Sequence, residues 1–303
     1  MNAQQLRHCL EMPQGPVDAV LDTDAFNEVD DQFAIAYMLR SSNRIHTKAI
    51  YAAPFYNSRS VSPADGMEKS FLEIQKLLQL CGREDIEVYR GSEAYLENEK
   101  TAIVSPAAEH LAKLAMQYHP EQPLYIIAIG AITNVASALL LNPAIRDRCV
   151  VVWLGGHAHH WPDTKEFNLW QDVAAARVVF SCGVPVVQLP CGGIVDHFTV
   201  TVPELRQWLV GKNELADYLA ENVISCCHDP EKAWSRVIWD VTAVAWLTGD
   251  KQKFLLSKIV PALLPDYEGQ YDFAHPAQPM AYVYHICRDA LMNDLLQKLL
   301  AQE

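Results

Sequence analysis

Short apolar runs alternate with amphipathic stretches along the first 200 residues of this 303-residue chain. Six runs have the length and the β-branched or aromatic content of strands: VDAVLDTD, HTKAIYAAP, IEVYRGS, LYIIAIG, CVVVWLGG and VPVVQLP. Helical patterns such as MEKSFLEIQKLLQLCG and PAAEHLAKLAMQY separate them. Strands that alternate with helices form parallel sheets covered on both faces. The pattern therefore predicts a Rossmann-like α/β fold, with a mostly parallel central sheet flanked by helices.

The chain shows no sign of a boundary between domains. No Pro/Gly/Ser-rich linker or low-complexity run divides its first 200 residues, and its length suffices for one large domain. The part from TVPELRQWLVG onward is predicted to be mostly helical and to pack against the same sheet. Within it, YHICRDALMNDLLQKLL is predicted to contain a docked helix. We expect residues 1–303 to form a single domain.

The composition excludes some classes of partner. Half of the residues are hydrophobic, which favours a globular fold, and the formal net charge is −13. A nucleic-acid backbone or an anionic membrane attracts basic surfaces, so neither is expected as a partner.

The cysteines and the N-terminal residues bear on the compartment. Eight cysteines are scattered without a C-x-x-C spacing, which favours reduced, buried thiols over a zinc or redox motif. The segment MNAQQLRHCLEMPQG has no apolar region after its charges, and no window approaches 18 consecutive apolar residues. The expectation is a cytoplasmic protein.

Polar segments follow several of the predicted strands. Asp22 to Asp24 end the first strand, APFYN follows the second, IGAITN closes the fourth and LGGHAHH the fifth. Ligands of open parallel sheets bind at the carboxyl ends of the strands, where these segments converge. We expect a functional site at this edge of the sheet.

The segment VLDTDAFNEVDDQF holds four aspartates within ten positions, namely Asp22, Asp24, Asp30 and Asp31. Crowded carboxylates repel one another unless a cation or hydrogen-bond donors hold them, and Ca²⁺ and Mg²⁺ take oxygen ligands. Asp22 and Asp24 point to the same side of a strand. Asp30 and Asp31 open the helix DDQFAIAYML, and helix capping is the alternative for that pair. Capping does not explain Asp22 and Asp24.

Two other acidic sites compare less well with this segment. Haloacid-dehalogenase-type phosphatases carry a similar D-x-D after a first strand, but Phe26 stands where they usually have Thr or Val, and they do not require Asp30 and Asp31. An EF-hand loop needs a Gly at its sixth position and a Glu at its twelfth, and both are missing.

Five segments together resemble the inosine-uridine nucleoside hydrolase family. The family signature is a strand that ends in D-x-D, a short turn and D-D at a helix start. AIGAITNVASALL, VVWLGG, EFNLWQDVAAARVVF and WDVTAVAWL are similar to further family segments in the right order, and the resemblance runs from about residue 17 to 250. It implies a nucleoside hydrolase-like fold and Ca²⁺-dependent cleavage of an N-ribosidic bond by water.

The resemblance assigns roles to individual residues. The calcium ligands would be Asp24, Asp31, Asp240 and the main-chain carbonyl of Ile129, with Asp22 supporting them. Ca²⁺ lowers the pKa of a bound water, and Asp24 would accept its proton as general base. The ribose hydroxyls would be bound by Asp30, Asn57, Glu166, Asn168 and Asp240. For Glu166 and Asn168 the alternative is a loop and a helix cap, and for Asn57 it is an ordinary turn.

The chain departs from the family pattern at three places. Five residues, Ala25 to Val29, separate the carboxylate pairs where three are usual, so Asn27 and Glu28 are candidates for substrate contact. Trp239 stands before Asp240, where many members have a His thought to protonate the leaving base. A Trp cannot supply that proton, but it can stack on a base, as in the purine-preferring branch of the family. A core position is the alternative.

The third departure is the histidine-rich segment GGHAHHWPD. His157, and also His159 or His160, would supply the missing acid or contact the base, with a solvated loop as the alternative and zinc binding less favoured. Further candidates for the base are in the last third of the chain: His228, Trp234, Arg236 and Tyr282.

The leading hypothesis is a Ca²⁺-dependent ribonucleoside hydrolase with a small-molecule ribonucleoside substrate and a purine preference. The alternatives are a hydrolase of another riboside, a metal- and ribose-binding protein without catalysis, and a phosphatase. The resemblance further implies a homodimer or homotetramer.

Overall fold

The computed structural model describes residues 1–229, 231–249 and 253–301. The helices are α1 (Ala3–Cys9), α2 (Asp31–Leu39), α3 (Pro63–Leu80), α4 (Pro106–Leu114), α5 (Thr133–Leu141), α6 (Phe167–Gln171), α7 (Val173–Ser181), α8 (Val202–Trp208), α9 (Glu214–Ser225), α10 (Val241–Thr248) and α11 (Arg288–Leu300). The strands are β1 (Val17–Thr23), β2 (Ile45–Ala52), β3 (Val88–Arg90), β4 (Leu124–Ala128), β5 (Cys149–Leu154), β6 (Val186–Leu189), β7 (Thr199–Val200), β8 (Arg236–Val237), β9 (Leu255–Pro261), β10 (Leu264–Pro265), β11 (Tyr271–Asp272) and β12 (Pro279–Ile286).

The central sheet has eight strands in the order β3-β2-β1-β4-β5-β6-β12-β9. Every neighbouring pair is parallel except β9 and β12, which are antiparallel. The six predicted strands are β1 to β6, so the predicted α/β class and mostly parallel sheet are confirmed.

Both faces of the sheet are buried. In β5, Val150 and Val152 face one apolar core, and Val151 and Trp153 face the other. Strands buried on both faces need an apolar residue at every position, which is why CVVVWL reads as a continuous run. The two cores hold the strand ends, and hence the loops after them, in a fixed arrangement.

Helix α2 is more deeply buried than its sequence pattern indicates. An apolar stripe of Phe33, Ala34, Tyr37 and Met38 is expected from DDQFAIAYML, but all nine residues of α2 are buried. The helix packs against α3, α10 and α11 as well as against the sheet. It is therefore a central element, and its first residue, Asp31, is held inside the molecule.

The last third of the chain differs from the mostly helical prediction. Strands β9 and β12 extend the central sheet beyond β6, and β10 pairs with β11 in a small separate sheet. Strand β12 joins the sheet through β6, where Ala281 pairs with Val187, and a pairing between such distant segments is not visible in the local sequence pattern. The docked helix is confirmed as α11, which buries Leu291, Met292, Leu295 and Leu299.

The structure bears on two expectations from the sequence, namely that the cysteines are reduced and that the chain lacks a membrane-spanning segment. All eight cysteines are free, and four of them are buried. Within residues 1–229, 231–249 and 253–301, the helices are too short or too polar to cross a lipid bilayer.

Candidate active site

The carboxyl ends of the parallel strands β1, β4 and β5 open into a cavity of about 450 Å³. The loops after these strands and after β6 form its wall, together with the starts of α2 and α10. Of the residues predicted for a site, those in the wall are Asp24, Asn27, Glu28, Asp30, Asp31, Ile129, His157, Glu166, Asn168, Trp239 and Asp240. The topology thus brings together residues that are more than 200 positions apart. Asp22 and Asn57 lie behind the wall.

Four buried carboxylates, Asp24, Asp30, Asp31 and Asp240, form what we call the aspartate cluster. Each side chain is at most 4% exposed. One carboxylate oxygen each from Asp30, Asp31 and Asp240 lies within 4.8 Å of the other two. Asp24 Oδ2 is buried and has no hydrogen-bond partner. Such an arrangement of oxygen atoms suits a hard divalent cation.

The electrostatics of the aspartate cluster support this interpretation. Burial raises the pKa of the Asp24 carboxyl well above its usual range, and the charges of Asp31 and Asp30 raise it further. Burial and the charge of Glu28 raise the pKa of Asp30 to about 7, while Arg236 opposes the rise. In a buried site, the negative charge of one carboxylate favours the protonated form of its neighbours. A bound cation removes this effect, and the carboxylates can then ionise.

The helix-capping alternative for Asp30 and Asp31 is not what the structure shows. Asp30 occupies the N-cap position of α2, but its side chain makes no capping hydrogen bond. Asp240 begins α10 in the same way. Both helices direct the positive ends of their dipoles at the aspartate cluster, which partly offsets its charge. Thr23 Oγ1 donates a hydrogen bond to Asp31 and orients it.

Asp22 lies one step behind the cavity, in strand β1. Its Oδ1 accepts a hydrogen bond of 2.8 Å from Asn134 Nδ2, which also donates to the carbonyl of Ala52. Burial raises the pKa of Asp22 to about 7. The aspartate and the amide therefore tie the end of β1 to β2 and to the start of α5.

The loop between β4 and α5 brings main-chain atoms to Asp24. A Cβ atom on Gly130 would lie 3.1 Å from the Asp24 carboxylate, so a larger residue does not fit without movement. The preceding carbonyl, of Ile129, accepts a hydrogen bond of 3.2 Å from Asn168 Nδ2. Asn168 also donates to the carbonyl of Leu154 at 3.0 Å. It thereby joins the ends of β4 and β5.

Glu166 caps helix α6 while it lines the cavity. Its carboxylate accepts hydrogen bonds from the main-chain N–H groups of Gly156, Asn168 and Leu169, at 2.8, 2.8 and 2.9 Å. The loop-and-cap alternative therefore describes what this side chain does in the structure. These donors hold the Glu166 carboxylate as an acceptor at the cavity wall.

The five-residue segment Ala25 to Val29 is fixed by two neighbouring segments. Asn57 Nδ2 donates to Asn27 Oδ1 at 2.6 Å, and the Arg59 guanidinium donates to the carbonyl of Asn27 at 3.2 Å. Glu28 pairs with Arg236 at 2.5 Å. Asn27 and Glu28 line the cavity, whereas Asn57 supports Asn27 from behind. Direct contact of Asn57 with a ligand is therefore not what this arrangement favours.

Trp239 and His157 are both in the wall. Trp239 is partly buried, packs against the core and also faces the cavity. It therefore fits both the predicted contact with a base and the alternative of a core position. His157 Nδ1 accepts a hydrogen bond of 3.0 Å from the main chain of Gly192, and burial lowers its pKa.

The other candidate histidines and aromatics are elsewhere. Burial lowers the pKa of His159 to about 4, and its ring packs against Tyr271 and Tyr282. His160 and His228 are exposed. Trp234 packs at the edge of the core. These side chains do not belong to the wall of the cavity.

A family model matches residues 19–275, and its description is inosine-uridine preferring nucleoside hydrolase. The chain belongs to this family. The match covers most of the chain and includes every residue of the aspartate cluster. The resemblance found in the sequence is confirmed, and the chain is a member of a family of N-glycosyl hydrolases.

Curated relatives of this family member include pyrimidine-specific ribonucleoside hydrolases RihA. The protein from Escherichia coli O1:K1 / APEC is 27% identical over 249 residues, which cover 72% of this chain and 76% of the relative. The protein from Photobacterium profundum is 27% identical over 174 residues, 48% of this chain, and the match spans 55% of that relative's length.

Solved structures with the same fold include a plant nucleoside hydrolase, with a TM-score of 0.76 and 17% identity over 95% of this chain and all of the other. A purine-preferring ribonucleoside hydrolase from Gardnerella vaginalis has a TM-score of 0.74 and 20% identity, over 93% of this chain and 98% of its own. At these identities the likeness shows the fold of the nucleoside hydrolase family.

The structure adds residues that the sequence did not single out. Trp161, Lys165, Phe167, Cys191 and Asp196 also line the cavity. Cys191 and Asp196 follow β6, so the rule that ligands bind at strand ends would have indicated them. Trp161 follows the motif HAHH, Lys165 precedes the motif EFN, and Phe167 is the central residue of EFN.

Proposed function

We propose that this chain hydrolyses the N-glycosidic bond of ribonucleosides to ribose and free base. The observation that carries the proposal is the aspartate cluster, buried at the bottom of a cavity with polar and aromatic walls. Membership of the nucleoside hydrolase family supports it. The cavity of about 450 Å³ offers room for a nucleoside.

We propose Ca²⁺ as the cation, held by Asp24, Asp31, Asp240 and the carbonyl of Ile129. The unpartnered Oδ2 of Asp24 and the close oxygens of Asp31 and Asp240 fit such an ion. These donors are all oxygen atoms, which favours a hard cation over zinc. A bound Ca²⁺ would lower the pKa of the water molecule that attacks C1′ of the ribose.

Asp24 is the proposed general base. Its carboxylate is buried at the end of β1, and Gly130 leaves room directly beside it. The Asp24 Oδ2 atom, which has no hydrogen-bond partner, is available to take the proton of the attacking water. The C1′–N bond breaks as positive charge develops on the ribose, and the surrounding carboxylates stabilise that charge.

The ribose hydroxyls are proposed to bind Asp30, Glu166, Asn168 and Asp240, with Asn57 acting through Asn27. Asn168 is anchored to two carbonyls and Glu166 to three N–H groups, so both are preorganised. A wall built to pair with hydroxyls discriminates against 2′-deoxyribosides, because a missing hydroxyl leaves a buried polar group unpaired.

The base is proposed to lie against Trp239, and a purine offers the larger face for stacking. The relatives named above include both pyrimidine-specific and purine-preferring hydrolases. His157 lies in the same wall and is the candidate to contact the base.

The test is a panel of inosine, adenosine, guanosine, uridine and cytidine, with released ribose as the readout. Turnover of at least one ribonucleoside that is lost on chelation and restored by Ca²⁺ is expected. Absence of ribose release from every riboside tested would overturn the proposal. Calorimetric binding of ribose without turnover would instead indicate the non-catalytic alternative.

We also propose the homodimer or homotetramer that the resemblance implies and the cytoplasmic location that the sequence composition favours. Light scattering on the purified protein measures the assembly, and a monomer would contradict the first part.

A further inference from the structure

The wall of the cavity carries much more negative than positive charge. Glu28, Glu166 and Asp196 line it in addition to the aspartate cluster. Among the residues that the structure describes, Lys165 is the one lysine or arginine in the wall. Arg236 neutralises Glu28 from outside, and a divalent cation would neutralise two further charges. An excess of negative charge remains around whatever occupies the cavity.

The Lys165 ammonium lies over the Trp170 ring, 5.2 Å from its centroid, and the aspartate cluster is assigned to the cation and the ribose. The other side chains around the cavity are poor proton donors for a departing base. The Trp239 indole does not ionise usefully, and Glu166 is held as an acceptor by three main-chain N–H groups. His157 Nδ1 accepts a hydrogen bond, so its ring is neutral in this arrangement. An ordinary purine or pyrimidine that leaves without a proton departs as an anion, which this negative wall disfavours.

Aromatic side chains complete the wall. Trp161, Phe167 and Trp239 line the cavity, and Trp161 packs against His157 with ring centroids 5.3 Å apart. Aromatic faces attract cations, most strongly where water is excluded. Negative charge and aromatic surface in one cavity are the combination that binds a flat aromatic cation.

We propose that the preferred substrates are ribosides with a positively charged aromatic base, such as N-ribosylpyridinium ions and N7-alkylated purine ribosides. The inference rests on the proposed function and specifies its substrate class. In the reaction the C1′–N bond breaks, and its electron pair moves to the positively charged ring, which leaves neutral. Water forms the new C1′–O bond and gives its proton to Asp24 and then to solvent, so the leaving group needs no acid.

The first test measures binding without turnover. The 1-methyl-3-carbamoylpyridinium ion and 3-methylbenzamide have nearly the same shape and differ in charge. With Ca²⁺ present, calorimetry is expected to give the cation a dissociation constant about tenfold lower than that of the neutral amide. Equal constants, or a lower constant for the amide, would overturn the proposal.

Variants that change the charge of the cavity wall in opposite directions test the proposed preference for cations. Asp196→Asn keeps a side chain that can accept from the Gly193 N–H, and it should reduce the preference for the cation about threefold. Lys165→Gln should increase that preference. Asp85→Asn is the matched control, because Asp85 is an exposed aspartate that pairs with Arg83 and does not line the cavity. An equal effect of Asp85→Asn and Asp196→Asn would overturn the role of the wall.

The second test compares turnover of the 3-carbamoylpyridinium riboside with that of inosine and uridine, each divided by its uncatalysed rate. A larger acceleration for the charged riboside supports the proposal. A larger acceleration for the neutral ribosides overturns it and leaves the proposed function standing. If no riboside is cleaved, the proposed function fails, and the dissociation constants of the cation and the amide still decide whether the cavity prefers cations.

Discussion

At the scale of single residues, the site depends on side chains that lack their usual hydrogen-bond partners. Asp24 Oδ2 is buried without a hydrogen bond, and Asp30 stands at a helix start without capping it. Glu166 shows the opposite case, because main-chain donors occupy its carboxylate. Asp24, with its free carboxylate oxygen, is therefore the reactive candidate, and Glu166 is a fixed acceptor.

Asp24→Asn should lower kcat by about 10²- to 10⁴-fold, because an amide cannot accept the proton of the attacking water. The amide retains an oxygen, so the overall fold should persist. The measurement is ribose release at saturating substrate, with the circular dichroism spectrum as the check on folding. Asp163→Asn, outside the cavity wall, is the control; near-normal turnover of Asp24→Asn would show that another group is the base.

Trp239→Ala should reduce kcat/KM more for purine ribosides than for pyrimidine ribosides, because a purine loses the larger stacking area. A base-stacking contact contributes about 1–3 kcal/mol, or roughly five- to 150-fold. The ratio of kcat/KM for inosine to that for uridine measures the effect. Equal losses for the two substrates would assign Trp239 to packing alone.

At the scale of the elements, the cavity wall is made by loops that other loops fix. The segment Ala25 to Val29 is anchored by Asn57, Arg59 and Arg236. The end of β4 is anchored to α6 through Asn168. The precision of the site therefore depends on side chains that do not face a ligand.

Arg236→Met should shift the acidic limb of the pH profile of kcat/KM to higher pH. Arg236 lowers the pKa of Asp30, whereas Glu28 raises it, so removal of the guanidinium leaves the raising charge unopposed. If Asp30 binds the ribose as a carboxylate, more alkaline solution is then needed to ionise it. Arg236→Lys keeps the charge and should restore the profile. An unshifted limb in Arg236→Met would contradict this role.

Gly130→Ala should weaken Ca²⁺ binding and lower kcat/KM by about tenfold or more, because the added Cβ would lie 3.1 Å from the Asp24 carboxylate. A displaced carboxylate loses both its alignment with the ion and its reach to the substrate. Gly15→Ala is the control, since nothing lies within 4 Å of a Cβ at that position. Equal calcium affinity in the two variants would contradict the prediction.

At the scale of the whole molecule, the fold concentrates buried carboxylates at one edge of the sheet and thereby reduces its own stability in the absence of a cation. Two helix N-termini and Arg236 offset part of that charge. The remainder makes stability depend on protons or on a bound ion.

In the presence of a chelator, the melting temperature should fall as pH rises from about 5 to about 8. Burial and neighbouring charge raise the pKa of Asp30 from 3.8 to about 7, so the native state binds more protons than the unfolded chain between those values. Because the unfolded chain binds fewer protons than the native state in this window, stability decreases as pH rises through it. Saturating Ca²⁺ should remove most of the slope. Scanning calorimetry measures it, and a melting temperature that rises with pH in chelator would contradict the prediction.

The sequence alone determined the α/β class, strands β1 to β6 and the concentration of aspartates. Strands buried on both faces leave continuous apolar runs, and four carboxylates in ten positions require a partner. These signals are local, so they can be read along the chain.

Tertiary structure alone decided how the site is divided among side chains. It placed β9 and β12 at the edge of the sheet, put Asn27 rather than Asn57 in the wall, and used Glu166 as a cap. It also brought Lys165 and Asp196 into the cavity. Each of these outcomes depends on which distant segments meet, and on which hydrogen-bond partner a polar side chain finds when the strands pair.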